Sequence, residues 1–252
     1  MRMGRKGGLR HLKRYKAPAH WPISKKGFVW APRPSPGPHP LTGCIPLSIL
    51  LRDALGYART SREAKLIIAQ GMVKVDGRVR RDEGYPIGLM DVVEIPEANL
   101  RFRIVPAPKK ALAPVEIGES EASFKLCKVM DKKTLKGGNI QLNLHDGRNL
   151  ILKVADPKNP VEDGYSTRDV LKLSIPDQSI LGLFKFEAGS YAVVVDGKNV
   201  GAGGRILSIE PGTALRPSMV SLEREGGVAL RTVADYVFVV GEGAPAIKLY
   251  GG

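Results

Sequence analysis

The chain has 252 residues, a net charge of +14 at pH 7, 43% hydrophobic and 6% aromatic residues. No apolar run approaches the roughly 18 residues of a membrane-spanning helix, and the basic first residues lack the apolar stretch of a secretory signal. Cys44 and Cys127 lie 83 residues apart, which argues against a zinc cluster and predicts two buried free thiols in a reducing cytoplasm.

Residues 1–40 are predicted to form a basic, extended arm. They contain ten Lys and Arg residues and no Asp or Glu, so we expect the arm to order only when a polyanion such as RNA surrounds it. A short helix near Leu9–Tyr15 and a polyproline-like segment over 31–40 complete the arm. Trp21, Phe28 and Trp30 either stack on bases or pack the arm onto the body, and the sequence leaves both open.

Residues 41–105 are predicted to form a compact α+β module. Thr60 and Glu63 have the spacing of a capping box that starts a helix, and Gly71 ends it. Apolar and polar residues alternate over 73–79 on either side of Asp76-Gly77, which predicts a tight hairpin. A strand over 92–95 follows. An earlier helix is predicted from apolar residues that share one helical face: Leu47, Leu50, Leu51, Ala54 and Leu55.

The remaining chain is predicted to be β-rich. Ile140, Leu142 and Leu144 alternate with polar residues, and a turn at 146–147 returns the chain as a second strand over 149–153. A loop over 156–164 follows. Residues 174–252 are expected to form a small all-β barrel, with strands at 191–195, 205–209, 220–222, 228–231 and 235–240.

Basic residues cluster in the second helix and its hairpin. Arg62 and Lys65 are three residues apart and therefore share a helix face, and a neighbouring hairpin can extend that face into one basic surface. Arginine can bridge phosphates and stack on bases. A merely solvated charged face remains the alternative because Asp76, Asp82 and Glu83 lie nearby.

Three strings in this module resemble the S4 RNA-binding domain. They are Thr-Ser-Arg-Glu-Ala-Lys at 60–65, Gly-Met-Val-Lys-Val-Asp-Gly at 71–77 and Gly-Leu-Met-Asp-Val-Val at 88–93. Asp91 stands where that domain has Asp, although two residues separate it from Gly88. The resemblance implies RNA binding without specifying the role.

Residues 189–206 resemble a KOW motif, whose glycines serve tight turns in an SH3-like barrel. Lys198, Asn199 and Arg205 lie in or beside its loop. A phosphate-binding loop is the enzymatic competitor, but no Gly-Lys-Ser/Thr string occurs. A turn-rich barrel without a ligand stays open.

The arm carries the most specific resemblance. His11-Leu-Lys-Arg14, residues 17–21 and residues 31–39 are similar to the N-terminal signature of the archaeal and eukaryotic small-subunit ribosomal protein S4e family. Residues 126–129 and 231–241 are similar to it as well, so the resemblance spans residues 3 to 250. The basic C-terminal extension of eukaryotic members is missing, and we therefore expect an archaeal-type member.

The resemblance implies a multidomain α+β chain: a basic extended arm (1–40), an S4 RNA-binding module (41–105), a β-rich central domain (106–173) and an SH3-like KOW β-barrel (174–252). It implies a cytoplasmic, ribosome-bound structural constituent of the small ribosomal subunit that supports translation and subunit assembly. Expected partners are small-subunit ribosomal RNA and neighbouring ribosomal proteins. No cofactor, metal, membrane or small-molecule substrate is expected.

The predicted RNA contacts combine these three regions. In the arm they are Arg2, Arg5, Lys6, Arg10, His11, Lys13, Arg14, Lys16, Lys25, Lys26 and Arg33. In the S4 module they are Arg59, Arg62, Lys65, Lys74, Arg78, Arg80 and Arg81, and in the KOW segment Lys198, Asn199 and Arg205.

Two other functions remain open at this stage. Pseudouridine synthases can carry an S4 module, but their catalytic Asp lies in a Gly-Arg-Leu-Asp string, where this chain has Gly77-Arg-Val-Arg80. No Ser/His/Asp or Cys/His arrangement has supporting context, so we expect no enzymatic activity. A transcription or antitermination factor is the second alternative, because KOW barrels occur there too.

Overall fold

The computed structural model of the protein describes residues 11–108, 111–154, 163–213, 216–224 and 229–250. Of the predicted RNA contacts, Arg2, Arg5, Lys6 and Arg10 lie outside these residues. Three five-stranded antiparallel sheets and two short strand pairs make up the architecture. Within the described ranges, no helix has the length and apolar character needed to cross a membrane.

Residues 11–40 of the arm pack against the S4 module. Strand β1 (Leu12–Lys13) pairs with β2 (Trp30–Ala31), and a 3-10 turn spans Arg14–Lys16. The helix predicted near residues 9–15 is therefore absent from its described part, residues 11–15. Trp21 is only 3% exposed, lies in the main apolar cluster, and donates from Nε1 to the Cys44 carbonyl at 2.6 Å. The prediction that the arm needs a polyanion to follow a fixed path is therefore wrong for these residues.

The arm follows a fixed path because apolar side chains anchor it to the body, and the number of its charges does not reveal these anchors. Ala17, Trp21 and Ala31 are buried in the same cluster as Leu50 and Ile68, and burying such side chains contributes about 25 cal/mol per Å². The described lysines of the arm remain exposed, where solvent and salt screen their mutual repulsion; they are Lys13, Lys16, Lys25 and Lys26. Proline also lowers the entropy lost when the segment orders.

The two predicted helices of the S4 module are present. Helix α1 (Leu47–Ile49) continues as a π-helical turn over Leu50–Ala54, and α2 spans Ser61–Gln70. Thr60 Oγ1 accepts from the Glu63 amide at 3.2 Å, and the Glu63 carboxylate accepts from the Arg59 amide at 2.9 Å. Gly71 ends α2 at φ +81°. The predicted cap, start and end of α2 are confirmed.

One sheet carries the hairpin and continues beyond residue 105. The turn residues Asp76 and Gly77 both have positive φ, as a tight two-residue hairpin requires. Because the last strand pairs with the one before it, the sheet crosses the predicted boundary at 105. The order is β5-β4-β7-β8-β9, beside a separate β3–β6 pair: β3 (Cys44–Pro46), β4 (Lys74–Val75), β5 (Arg78–Val79), β6 (Pro86–Gly88), β7 (Val92–Ile95), β8 (Leu100–Val105) and β9 (Ala113–Glu116).

The second sheet centres on an 11-residue strand that follows the short helix α3 (Glu119–Ala122). Ile140, Leu142 and Leu144 are buried, which confirms the predicted alternation. The order is β12-β11-β10-β13-β14, so this sheet also crosses the predicted boundary at 173. Its strands are β10 (Phe124–Thr134), β11 (Ile140–Leu144), β12 (Asn149–Leu152), β13 (Val170–Ser174) and β14 (Ile180–Phe184).

The third sheet contains the C-terminal strands in the order β18-β17-β16-β15-β19. The predicted strands here are confirmed to within a few residues at their ends. Val193, Val220 and Phe238 lie in its apolar core. The strands are β15 (Ser190–Val194), β16 (Gly203–Glu210), β17 (Met219–Glu223), β18 (Ala229–Val233) and β19 (Val237–Glu242). The assignment of this sheet to an SH3-like KOW barrel stays a prediction.

Candidate nucleic-acid interface

Helix α2 and the β4–β5 hairpin expose a group of arginines. Arg59 precedes α2, Arg62 lies in its first turn, and Arg78 and Arg81 belong to the hairpin and the loop after it; all four are exposed. None of them forms an ion pair within 4.0 Å with another described residue. We call these four residues the arginine face. Their guanidinium groups are free to bind phosphates.

Three other predicted contacts in this module are less available. Lys65 Nζ lies 2.9 Å from Glu83 Oε1, although both side chains are partly exposed. Lys74 is half-buried. The Arg80 guanidinium stacks 4.3 Å from the centre of the Tyr85 ring and is half-buried. Of the seven predicted contacts in this module, four are thus exposed arginines without an ion pair to a described residue, and three have protein partners or partial burial. Their role in RNA binding stays a prediction.

The described cations of the arm are mostly exposed, with one exception. The exception is Arg14, which is 8% exposed and whose guanidinium lies 5.4 Å from the centre of the Phe28 ring, and its contact with RNA stays a prediction. Sequence reasoning missed its burial because only charge was counted. The exposed members are His11, Lys13, Lys16, Lys25, Lys26 and Arg33.

The aromatic residues of the arm divide into two kinds. Trp21 packs the arm onto the body, as the structural interpretation predicted. Phe28 and Trp30 are 76% and 56% exposed, and the Trp30 ring lies 5.6 Å from the ring of His11. These two remain open to a ligand.

Three further predicted contacts lie in the β15–β16 loop and at the start of β16. Lys198 and Arg205 are exposed and Asn199 is half-buried. Arg205 Nε donates to the Gly243 carbonyl at 2.8 Å. No hydrogen bond or ion pair between described residues joins these side chains to the arm or to α2, so their role in RNA binding stays a prediction.

A buried ion cluster holds the arm, the S4 module and the central sheet together. Lys125 on β10 is 1% exposed and contacts carboxylates from three turns: Asp76 Oδ2 at 2.8 Å, Asp146 Oδ2 at 3.1 Å and Asp91 Oδ1. His39, from the arm, lies 3.1 Å from the Asp91 carboxylate. We call these five residues the ion cluster. Sequence reasoning did not find it.

The charges in this cluster shift the pKa values of its members. Burial alone would raise the pKa of Asp91, but the charges of Lys125 and His39 outweigh it and hold that pKa well below its usual range. Burial would likewise lower the pKa of Lys125, and the surrounding carboxylates raise it instead. The surrounding charges thus favour the ionised forms of Lys125, Asp91 and Asp146, and these buried charges are paired with one another.

Cys127, His145 and Asp146 adjoin the ion cluster, with ligand atoms within 4.8 Å of one another. Both imidazole nitrogens of His145 already have partners, because Nδ1 lies 3.2 Å from the Lys128 amide and Nε2 lies 3.2 Å from the Leu89 carbonyl. Asp146 pairs with Lys125. This trio is thus used by the fold and is a poor set of ligands for a cation.

Stability is expected to fall as the pH drops from about 6.5 to 4. Burial, assisted by the Lys125 charge, lowers the pKa of His145 to about 4, so the unfolded chain takes up a proton in this window and the folded chain does not. Each unit of this shift corresponds to about 1.4 kcal/mol. Urea unfolding at both pH values measures the change.

A His145→Gln variant provides the control for this pH dependence, because its side chain does not titrate. The variant should lose less stability than the parent protein over the same window. Equal stability of the parent protein at both pH values would contradict the burial of a neutral imidazole.

Comparison with known proteins gives three family-model matches in order along the chain. They are the RS4NT domain over residues 6–42, the S4 domain over 45–93 and Ribosomal family S4e over 98–180. The small ribosomal subunit protein eS4 of Desulfurococcus amylolyticus is 51% identical over 98% of both chains. The chain belongs to the S4e family of ribosomal proteins. The eS4 protein of Methanocaldococcus jannaschii is 47% identical over 98% of this chain and all of its own.

A solved structure of the S4e family agrees with the fold. The crystal structure of the 30S ribosomal protein S4e from Thermoplasma acidophilum is 32% identical, with a TM-score of 0.66. The similarity covers 79% of this chain and 96% of that one. The S4 match over 45–93 contains α2, the β4–β5 hairpin and all four residues of the arginine face, so the exposed arginines lie on an RNA-binding type of domain.

Proposed function

We propose that this chain is a structural constituent of the small ribosomal subunit and binds its ribosomal RNA through the arm and the S4 module. The observation that carries the proposal is the near full-length identity of 51% to a small ribosomal subunit protein eS4. The similarity of this chain to archaeal relatives supports the proposal that it is an archaeal-type member of the family and works on the cytoplasmic ribosome.

The contacts with RNA are made mainly to phosphates. The arginine face offers four unpaired guanidinium groups, and the exposed lysines of the arm extend the positive surface. Such contacts release condensed counterions and fix the protein on the RNA backbone without reading its sequence. Lys198, Asn199 and Arg205 contribute further contacts from the KOW-like sheet.

The role is one of binding and assembly, without chemistry on the RNA. The ion cluster keeps the arm at a fixed position relative to the arginine face, because His39 belongs to the arm and Asp91 to the S4 module. A preformed surface loses less entropy on binding than a disordered one. Neighbouring ribosomal proteins are the expected partners of the remaining exposed surface.

Sedimentation of small subunits through a high-salt cushion tests the proposal. The full chain should remain with the subunits in about equal molar amount, because a structural protein enclosed by RNA does not exchange freely. A chain that washes off the subunits and sediments with the transcription machinery would overturn the proposal and favour the antitermination alternative.

A further inference from the structure

A groove runs between the arm and the start of α2. Its volume is about 840 Å³, and its walls include Arg14, Phe28 and Trp30 from the arm and Arg52, Arg59 and Ser61 from the S4 module. This volume lies within the range of pockets that hold small organic groups.

The apolar wall of the groove is exposed to an unusual degree. Phe28, Val29 and Trp30 are consecutive and are 76%, 65% and 56% exposed, whereas Trp21 in the same arm is buried. Consecutive exposed apolar residues of this size mark a binding surface more often than a free one. Aromatic faces of this kind are the platforms on which unpaired bases stack.

The lining of the groove includes Arg14, whose side chain has an N–H donor without a partner among the described residues. Arg14 is 8% exposed, and its Nε is buried without a hydrogen-bond partner among the described residues. A buried donor left unpaired is unfavourable, so an acceptor atom from outside the protein would relieve it. The guanidinium also lies close to the Phe28 ring, where it adds positive charge beside the apolar wall.

The part of the lining that comes from the S4 module offers a binding position for a phosphate. Arg59 is exposed and has no ion pair with a described residue. It stands immediately before the capped first turn of α2, so its guanidinium is the group that would meet a phosphate. The single acidic residue in the wall, Asp53, is 2.7 Å from Arg52 and already paired with it. The groove therefore combines aromatic stacking faces with a net positive charge.

We propose that this groove holds an unpaired nucleotide of the bound RNA, with its base stacked on Trp30 and Phe28 and its phosphate beside Arg59. The inference rests on the proposed function and adds to it a specific ligand class, a single-stranded nucleotide. An apolar segment of a neighbouring protein would use the aromatic residues but would leave Arg14 Nε and the Arg59 guanidinium without an acceptor. The charge of the groove thus favours the nucleotide.

Tryptophan fluorescence tests the stacking directly. Because Trp21 must stay in place as the buried anchor of the arm, the emission of Trp30 is obtained as the difference between the parent chain and a Trp30→Phe variant. Addition of single-stranded oligoadenylate should quench this emission, and a blunt RNA duplex of equal nucleotide concentration should quench it far less. Equal quenching by both probes, or by neither, overturns the proposal.

A binding measurement separates this proposal from the proposed function. The Phe28→Ala/Trp30→Ala variant should bind small-subunit ribosomal RNA about 5- to 100-fold more weakly, with an unchanged dependence on salt, because stacking releases no counterions. Tyr250→Ala, which removes another exposed aromatic side chain, is the matched control and should bind normally.

Two outcomes overturn the nucleotide assignment while the proposed function stands. In the first, the double variant binds RNA as tightly as the parent chain and also joins assembled subunits, so the groove holds no nucleotide. In the second, it binds RNA as tightly but fails to join assembled subunits, which would assign the groove to a neighbouring protein. Failure of the parent chain itself to bind ribosomal RNA would instead overturn the proposed function. Thermal unfolding of the double variant checks that its fold is intact.

Discussion

Replacing Lys125 by methionine is expected to lower the free energy of unfolding by about 3–5 kcal/mol, the usual cost of removing one partner from a buried ionic group. Lys125 Nζ is shared by Asp76, Asp91 and Asp146, and all of these side chains are at most 6% exposed. Methionine fills a similar volume but provides no charge. Arg148, 3.1 Å from Asp146, offsets only part of the loss because it does not reach Asp91.

Lys133→Met is the matched control, because Lys133 lies on the same strand but is 63% exposed and, among the described residues, forms an ion pair with Asp131 alone. Urea unfolding should place this variant within about 0.5 kcal/mol of the parent protein. Similar losses for both lysine variants would show that the ion cluster has no special role. The parent chain should also lose its excess stability in strong acid, as its carboxylates with lowered pKa values take up protons.

Reversing the charge of Arg59, Arg62 and Arg78 to Glu should weaken binding to small-subunit ribosomal RNA by about 100-fold or more at about 0.1 M salt. Each lost phosphate contact removes the release of about one counterion, and the new carboxylates repel the RNA. Lys65 is left unchanged because Glu83 already pairs with it. All three arginines are exposed and form no ion pair with a described residue, so the fold should tolerate the change.

A second triple variant with the same net charge is the control. Lys136, Lys153 and Lys248 are exposed and lie outside the arm and the S4 module. Their reversal to Glu should weaken RNA binding much less, because long-range attraction is screened beyond about 10 Å. If both triple variants bind equally weakly, only the overall charge of the chain matters and the arginine face is not a binding surface.

Local features of the fold were predictable from the sequence because their causes are local. Thr60 caps α2, Gly71 ends it, and Asp76-Gly77 turns the hairpin, each through a bond or dihedral angle within a few residues. The alternation of residues 140–144 also predicted a buried face correctly. The resemblance of the arm and S4 strings to the S4e family was specific enough to give the family.

The ion cluster was not predictable because its partners are far apart in the chain. Lys125 meets Asp91 and Asp76 across 34 and 49 residues, and an isolated lysine in a sequence is read as a surface residue. The same reasoning placed no strand over residues 124–134, where Lys125 and Lys128 are both buried. Burial of a charge depends on partners that only the tertiary structure supplies.

The arm shows the opposite error, in which a global property was given too much weight. Because residues 1–40 contain ten cationic and no acidic side chains, we predicted that only bound RNA would fix the conformation of the arm. Trp21 and His39 instead tie the described part of the arm to the protein, through the Cys44 carbonyl and the Asp91 carboxylate. Charge determines what the arm attracts, while its few apolar and buried residues determine where it lies.

This placement changes how RNA binding by the arm must be tested. Deleting residues 1–40 would remove Trp21 and His39 from the core along with the cations, so a loss of binding would not identify its cause. Neutralising the exposed lysines separates the two effects. Lys13, Lys16, Lys25 and Lys26 can each be changed to Gln with the anchors intact.

The dependence of binding on salt tests the central claim, that the preformed cationic surface of the arm and S4 module binds ribosomal phosphates. The affinity of the full chain for protein-free small-subunit ribosomal RNA would be measured from about 0.05 to 0.5 M salt. We predict a logarithmic slope steeper than about −3, which becomes clearly shallower when the arm lysines or the arginine face are neutralised. A nearly flat slope, or one that both sets of substitutions leave unchanged, would contradict the account.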